Sequence, residues 1–205
     1  MADNSTLDYY NERAELYAQS TVNADMSGAC DEFLKMLPDD GAILDLGCGS
    51  GRDSKYFLEH GREVVAVDGS PELCRIAGQY LGREVICCDF RDYEPAGKFA
   101  GIWACASLLH LEAGELERVI ARLPGYLVDG GILFMSFKHG EFSGIKEGRY
   151  FPFMDREGIS RLLKGITSLE ILRLEVSDDV RSELHGQEWI SVYCRKVSPS
   201  YSSCQ

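Results

Sequence analysis

Between residues 43 and 54 the chain reads ILDLGCGSGRDS: an apolar run, an acidic residue, alternating glycines and a polar pair opening a helix-like segment. Glycine at 47 and 49 removes the Cβ atoms that would hold a ligand away from the main chain. Carboxylates recur at the ends of the next two apolar runs, Asp68 in VVAVDG and Asp89 in CCDF. Backbone open to close approach, followed by groups that accept from hydroxyls and amines, is chemistry for holding a nucleotide-like cofactor.

Three cofactor classes compete for the loop. A P-loop needs a lysine directly after its last glycine to reach the terminal phosphates; none follows Gly51 until Lys55, so that reading fails. A dinucleotide loop needs a third glycine at the place held by Arg52, and glycine falls one residue early, at Gly51. The arginine weakens the dinucleotide case without eliminating it. S-adenosylmethionine fits what remains, a nucleoside with an amino-acid tail and no pyrophosphate. On this reading Gly47, Cys48, Gly49 and Arg52 lie against it, and Asp45 receives its ammonium group directly or through water. Asp68, 21 residues after Gly47, accepts from the ribose hydroxyls beside Gly69 and Ser70; a helix cap or turn is its structural alternative. Asp89 accepts from the adenine amino group, with Cys88 and Phe90 lining the ring; a turn carboxylate is the alternative there.

These residues need a frame that ends several strands at one crevice. From Ala42 onward short apolar runs at 42–48, 63–69, 84–90, 99–106 and 131–137 alternate with helix-like segments, as buried parallel strands and their crossovers do. Leu116, Val119, Ile120 and Leu123 share one helical face, and Ser70-Pro71 is a cap followed by a first-turn proline. Near the end, SLEILRLEV (168–176) and EWISVYCRKV (188–197) have no helix between them and must pair antiparallel. The fold class expected is α/β, a Rossmann-like doubly wound sheet with one reversed strand. The chain reads as one domain over 1–205, with a helical cap at 1–38, an α/β core at 42–197 and a disordered tail at 198–205.

ILDLGCGSGRDS, VVAVDGSPELCRIA and CCDF, in that order, resemble the successive cofactor motifs of class I S-adenosylmethionine-dependent methyltransferases. The form GCGSGRDS…HG…VVAVDGSPEL is most similar to the small bacterial methyltransferases of the tellurite-resistance and ubiquinone/biotin-biosynthesis type, strongly over residues 40–137. The resemblance implies seven strands ordered 3-2-1-4-5-7-6, the last antiparallel, and methyl transfer leaving S-adenosylhomocysteine. It also implies that the CASLLHL segment borders the methionine moiety and the acceptor, which concerns Ala106, Ser107 and His110. An N-terminal segment is implied to cover the cofactor, with hydroxyls of Tyr9 and Tyr17 reaching the methionine carboxylate and Tyr10 facing the acceptor. Amphipathic packing is the competing account of those tyrosines.

Two catalytic candidates follow. His110 has the titration range of a general base near neutrality, or else it orients a loop; a Tyr17 oxygen near the sulfonium would fix the methyl's direction. In-line displacement gains much from proximity and desolvation, so a dedicated base is not obligatory. After the fifth run the loop SFKHGEFSGIKEGRYFPF offers Lys138, His139, Arg149 and Tyr150 as acceptor contacts, a solvated surface loop being the alternative; Trp189 reads first as a buried core residue, with closure of the same pocket by Glu188 and Trp189 as the second account.

The 205 residues, 45% hydrophobic and 26% charged, suffice for one core. No apolar run approaches the roughly 20 residues of a membrane span, and the first residues lack a signal-peptide pattern. Eight cysteines without CxxC pairing or zinc spacing read as reduced core thiols in a cytoplasmic protein, with no metal. A net charge of −12 disfavours nucleic acid and anionic lipid as partners. The reading is a methyltransferase acting on a small-molecule acceptor. Its rivals are an NAD(P)-dependent oxidoreductase and a non-catalytic S-adenosylmethionine-binding module.

Overall fold

The computed structural model describes residues 5–140, 143–146, 149–181, 184 and 186–198, without the side chains of 5, 143, 145–146 and 149–152. The chain opens with three helices, α1 (Ser5–Glu12), α2 (Ala14–Thr21) and α3 (Ser27–Met36). Then come β1 (Ile43–Leu46), α4 (Arg52–Glu59), β2 (Val64–Asp68), α5 (Pro71–Leu81), β3 (Ile86–Cys87), β4 (Phe99–Ala104), a 3₁₀ turn (Leu108–His110) and α6 (Ala113–Tyr126). β5 (Leu127–Lys138), β6 (Ser143–Lys146), β7 (Arg149–Pro152), α7 (Arg156–Leu163), β8 (Leu169–Asp178) and β9 (Glu188–Lys196) complete it.

Seven strands form one sheet in the order β3-β2-β1-β4-β5-β9-β8. β1 to β5 are mutually parallel; β9 runs antiparallel to both β5 and β8. With the β6–β7 hairpin set apart, this is the expected 3-2-1-4-5-7-6 order with the last strand reversed. β1 and β4 are buried along their whole length, which explains why their sequences are continuous apolar runs rather than alternating ones.

Two expectations are corrected. The run at 84–90 yields only a two-residue strand, both residues exposed, because β3 is an edge with one neighbour. Cys87 is accordingly an exposed thiol rather than a core one. The segment after β5 is more than a loop: β6 and β7 pair antiparallel from Ser143↔Pro152 to Lys146↔Arg149. The expected disordered tail lies, beyond Ser198, outside the described residues.

The sheet buries both faces. Leu116, Val119, Ile120 and Leu123 of α6 and Ile159 of α7 pack with Leu44, Ile102, Leu133 and Val192. On the opposite face Phe33, Phe57, Trp103, Phe134 and Tyr193 pack together, with Trp103 stacked on Phe134 at 3.8 Å. Gly101 lets α3 come this close, since a Cβ there would lie 2.5 Å from both Phe33 and Leu37. Each aromatic ring contributes on the order of 2–3 kcal/mol by area burial, so this layer anchors α3 and, through it, the N-terminal cap.

Candidate active site

The glycine loop leaves the carboxyl end of β1 with Gly47 at φ 85°, Gly49 at φ 55° and Gly51 at φ 80°, all left-handed. Gly47 is doubly required, because a Cβ there would stand 2.4 Å from Ser107 Cβ. The amides of Gly47 and Cys48 both donate to the Val67 carbonyl, tying the loop to β2. Asp68, at the end of β2, accepts from Gly49 N at 2.8 Å and Ser70 N at 2.9 Å. Burial pushes its carboxyl up and those amides pull it back. Ser70 caps α5 by accepting from Leu73 N, and its hydroxyl donates to Asn11 Oδ1 at 2.6 Å.

Beneath the loop lies a buried polar layer. Asp45 accepts from Ser54 Oγ at 2.6 Å and does not line the cavity described below. Burial, then the neighbouring Asp53, pushes Asp45 up to about 7. Arg52 holds Asp53 through two parallel bonds of 2.6 and 2.8 Å, and Trp103 Nε1 donates to the same carboxylate at 2.8 Å. Arg52 and Asp53 do face the cavity. The arginine that displaced a third glycine is thus the cationic member of a built pair.

At the end of β4, Ala106 has φ 53°, the one positive value for a non-glycine among the described residues. Its amide donates to Ser136 Oγ at 2.8 Å. The next hydroxyl, Ser107 Oγ, is buried without a hydrogen-bond partner. Strain and an unsatisfied group at one turn each cost about 1–3 kcal/mol, a concentration typical of working sites. The 3₁₀ turn then carries His110, whose Nε2 lies 2.8 Å from the Tyr10 hydroxyl. Tyr10 meets Tyr9 and Tyr17 edge-on at 5.5 and 5.0 Å. Tyr17 sits over the glycine loop, its ring 3.2 Å from where a Gly49 Cβ would be. Burial, then Tyr10, pushes its phenol well above the ordinary value.

These pieces surround a cavity of about 880 Å³. Tyr9, Tyr10, Tyr17, Gly47, Cys48, Gly49, Arg52, Ala106, His110 and Lys138 line it, as sequence reasoning places them. Asp68, Gly69, Ser70, Cys88, Asp89, Phe90 and Ser107 do not; they belong to the turns beside it. Asp89 is moreover held by Arg91 through Nε and Nη at 2.6–3.0 Å, so its carboxylate is already engaged. His139 bonds Glu188 at 3.0 Å and is also off the wall. The side chains of Arg149 and Tyr150 lie outside the described residues.

Apart from Trp189, the far wall was missed, and Glu188 does not line it. Arg173, Glu175, Ser177 of β8 and Trp189, Ser191, Tyr193 of β9 face the cavity, every second residue on each strand. Asp179 accepts from Trp189 Nε1 at 2.9 Å and from Arg181 at 2.8 Å, so a half-buried tryptophan is fixed as wall. The signal was present in RLEVSD, where Leu174 and Val176 alternate with polar residues. Arg13, Thr21 and Asp53 add to the polar lining. Among the described residues no group of His, Cys, Asp and Glu could hold a metal ion, and no helix is long and apolar enough to cross a membrane.

Residues 43–131 match the family model of a methyltransferase domain. Magnesium-protoporphyrin O-methyltransferase from Rhodobacter capsulatus is 36% identical over 99 residues, 44% of this chain and 44% of that protein. The chain spans about half the length of the curated relatives it matches. Among solved structures, Burkholderia thailandensis 1,6-didemethyltoxoflavin-N1-methyltransferase, with bound 1,6-didemethyltoxoflavin and S-adenosylhomocysteine, superposes with TM-score 0.75 at 20% identity, covering 95% of this chain and 87% of that one. The cyclase SpnF superposes at 0.68 and 17% identity, covering 94% and 95%. The fold is therefore shared beyond methyl transfer, while the resemblance drawn from the cofactor motifs is borne out over residues 43–131.

Proposed function

We propose that this chain, a single domain with a methyltransferase-family match at its centre, transfers the methyl group of S-adenosylmethionine to a small-molecule acceptor in the cytoplasm. The observation that carries this reading is the left-handed glycine loop clamped to Asp68 and opening onto the cavity. Its glycines let Ser107 and Tyr17 close against the loop where Cβ atoms would otherwise stand, and the adjoining turns carry acidic side chains, which suits a nucleoside with an amino-acid tail.

Asp68 and the turn at Gly69 and Ser70 are assigned the ribose, and Cys88, Asp89 and Phe90 the base. Asp89 would accept from the adenine amino group while keeping its Arg91 pair. Gly47, Cys48, Gly49, Ala106, Ser107 and the Arg52–Asp53 pair border the amino-acid tail, with a positive and a negative group to match both of its charges. When bound, S-adenosylmethionine supplies an electrophilic methyl on a sulfonium. Tyr9 and Tyr17 exclude water above that end, and the Tyr17 hydroxyl stays protonated and able to donate or accept there. Tyr10 and His110 form one hydrogen-bonded unit beside it, placed to receive a proton from an acceptor hydroxyl or amine. Lys138 and Trp189 shape the acceptor's remaining space. Seven described cysteines are free thiols, consistent with a reducing compartment.

The test is calorimetric titration with S-adenosylhomocysteine and, in parallel, NAD, on the wild type and on Asp68→Ala. Micromolar binding of the first, weakened at least tenfold in the variant and without an NAD signal, supports the reading and opens an acceptor screen with labelled S-adenosylmethionine. NAD binding would replace it with the oxidoreductase; cofactor binding without turnover on any cell extract would leave the binding module.

A further inference from the structure

α1 lies across the ends of β2 and β3, beside the groups assigned to the nucleoside. Gly69 follows Asp68 directly, and its φ is not left-handed, so the backbone there accepts a side chain. The space does not: a Cβ at Gly69 would lie 2.8 Å from Leu7 Cδ2, with Asp89 Cα next at 3.7 Å. The Leu7 side chain therefore fills the room that a residue-69 side chain would take, between the ribose-side and base-side carboxylates. Leu7 is the one aliphatic residue in the helix STLDYYNE, and it is half-buried. One turn on, Asn11 accepts from Ser70 at 2.6 Å, and beyond it Glu15 pairs with Arg75 of α5 at 2.9 Å. α1, through Leu7 and Asn11, and α2, through Glu15, thus dock on the β2–α5 turn and α5 at successive points.

We propose that Leu7 is a cofactor-contact residue, supplying from α1 the apolar wall of the nucleoside site that the chain omits at position 69. The inference rests on the S-adenosylmethionine reading and deepens it: nucleoside affinity depends on docking of the N-terminal helix, because one wall of the site travels with that helix. A side chain rooted at position 69 would be wall and not ligand, so a leucine occupying its space takes the same part.

Complementary exchange tests this. S-adenosylhomocysteine is titrated calorimetrically into the full-length wild type, Leu7→Ala, Gly69→Leu and the double variant, and the ligand-free melting temperature of each is recorded. Leu7→Ala should weaken binding about tenfold, the effect of losing one buried aliphatic contact. Gly69→Leu alone should weaken it too, since two side chains then compete for one space. The double variant should return to within about threefold of wild type, a recovery that a purely structural role for Leu7 would not give. Unchanged affinity in Leu7→Ala overturns the proposal, as does a double variant no better than the weaker single. Tighter binding in Leu7→Ala also overturns it, by showing that Leu7 blocks the base instead of facing it. Wild type without affinity for S-adenosylhomocysteine sinks the parent reading instead, so the two failures are separable.

Discussion

The two halves of the cleft are built by opposite means. The half assigned to the cofactor is centred on one continuous stretch, residues 43–70, whose backbone dihedrals and amide hydrogen bonds shape it. The half assigned to the acceptor gathers the cavity-lining Tyr10, His110, Lys138, Arg173 and Trp189 from five separate segments, and side chains make it. The first can be fixed by short-range sequence; the second exists only once the chain has folded. A recurring ligand can thus be held by a local motif while the acceptor is chosen by residues free to vary independently.

Gly47→Val should have the largest effect, because it breaks the cofactor half outright. A branched side chain at φ 85° would collide with Ser107, costing on the order of 3 kcal/mol or more. Binding of S-adenosylhomocysteine by calorimetry should vanish, and the urea midpoint should fall. Retained binding would mean that side chains, not loop geometry, hold the cofactor. Tyr10→Phe should do the converse. It deletes the partner of His110 and leaves the loop untouched, so turnover should drop roughly tenfold to a hundredfold while cofactor affinity stays within about twofold. A parallel loss of affinity would dissolve the distinction between the halves.

The smallest effect is expected under the loop. Asp45 is raised above its ordinary 3.8 to about 7, so its charged form is disfavoured in the folded state. The folded protein binds more protons across that interval, and its stability falls as pH rises from about 4 to about 7. Asp45→Asn keeps an acceptor for Ser54 and removes the charge. It should be more stable than wild type at pH 8 and converge with it near pH 4. Urea melts at pH 4, 6 and 8 measure this; equal curves at all three would show Asp45 ionised without penalty.

What the sequence made legible follows the same division. The loop, the Ser70 cap and the reversed terminal strand were readable because each rests on local spacing or on a topology rule, whereas the strand order came only with the resemblance of the cofactor motifs. The bond from Ser54 to Asp45 was not legible, because strand periodicity says which side a residue faces but not that Ser54, nine residues on, meets it there. Asp89 looked like a free acceptor because Arg91, two residues later, carries no motif. The β6–β7 hairpin was hidden in a glycine-rich polar run whose pairing depends on register. The alternation in β8 could have been read, yet which face met the cavity depended on β9 lying between it and β5.

The chain contains only two tryptophans, and the fold has put one in each half. Trp103 is fully enclosed, stacked on Phe134 and bonded to the carboxylate that Arg52 grips under the glycine loop. Trp189 stands at the cavity wall, tethered to Asp179. The protein therefore carries two built-in fluorophores with different surroundings, an enclosed one expected to emit blue beneath the glycine loop and a redder, quenchable one expected at the cavity wall. Replacing either with phenylalanine would leave a single-colour reporter, so occupancy of each half could be followed by light alone, in order and in real time.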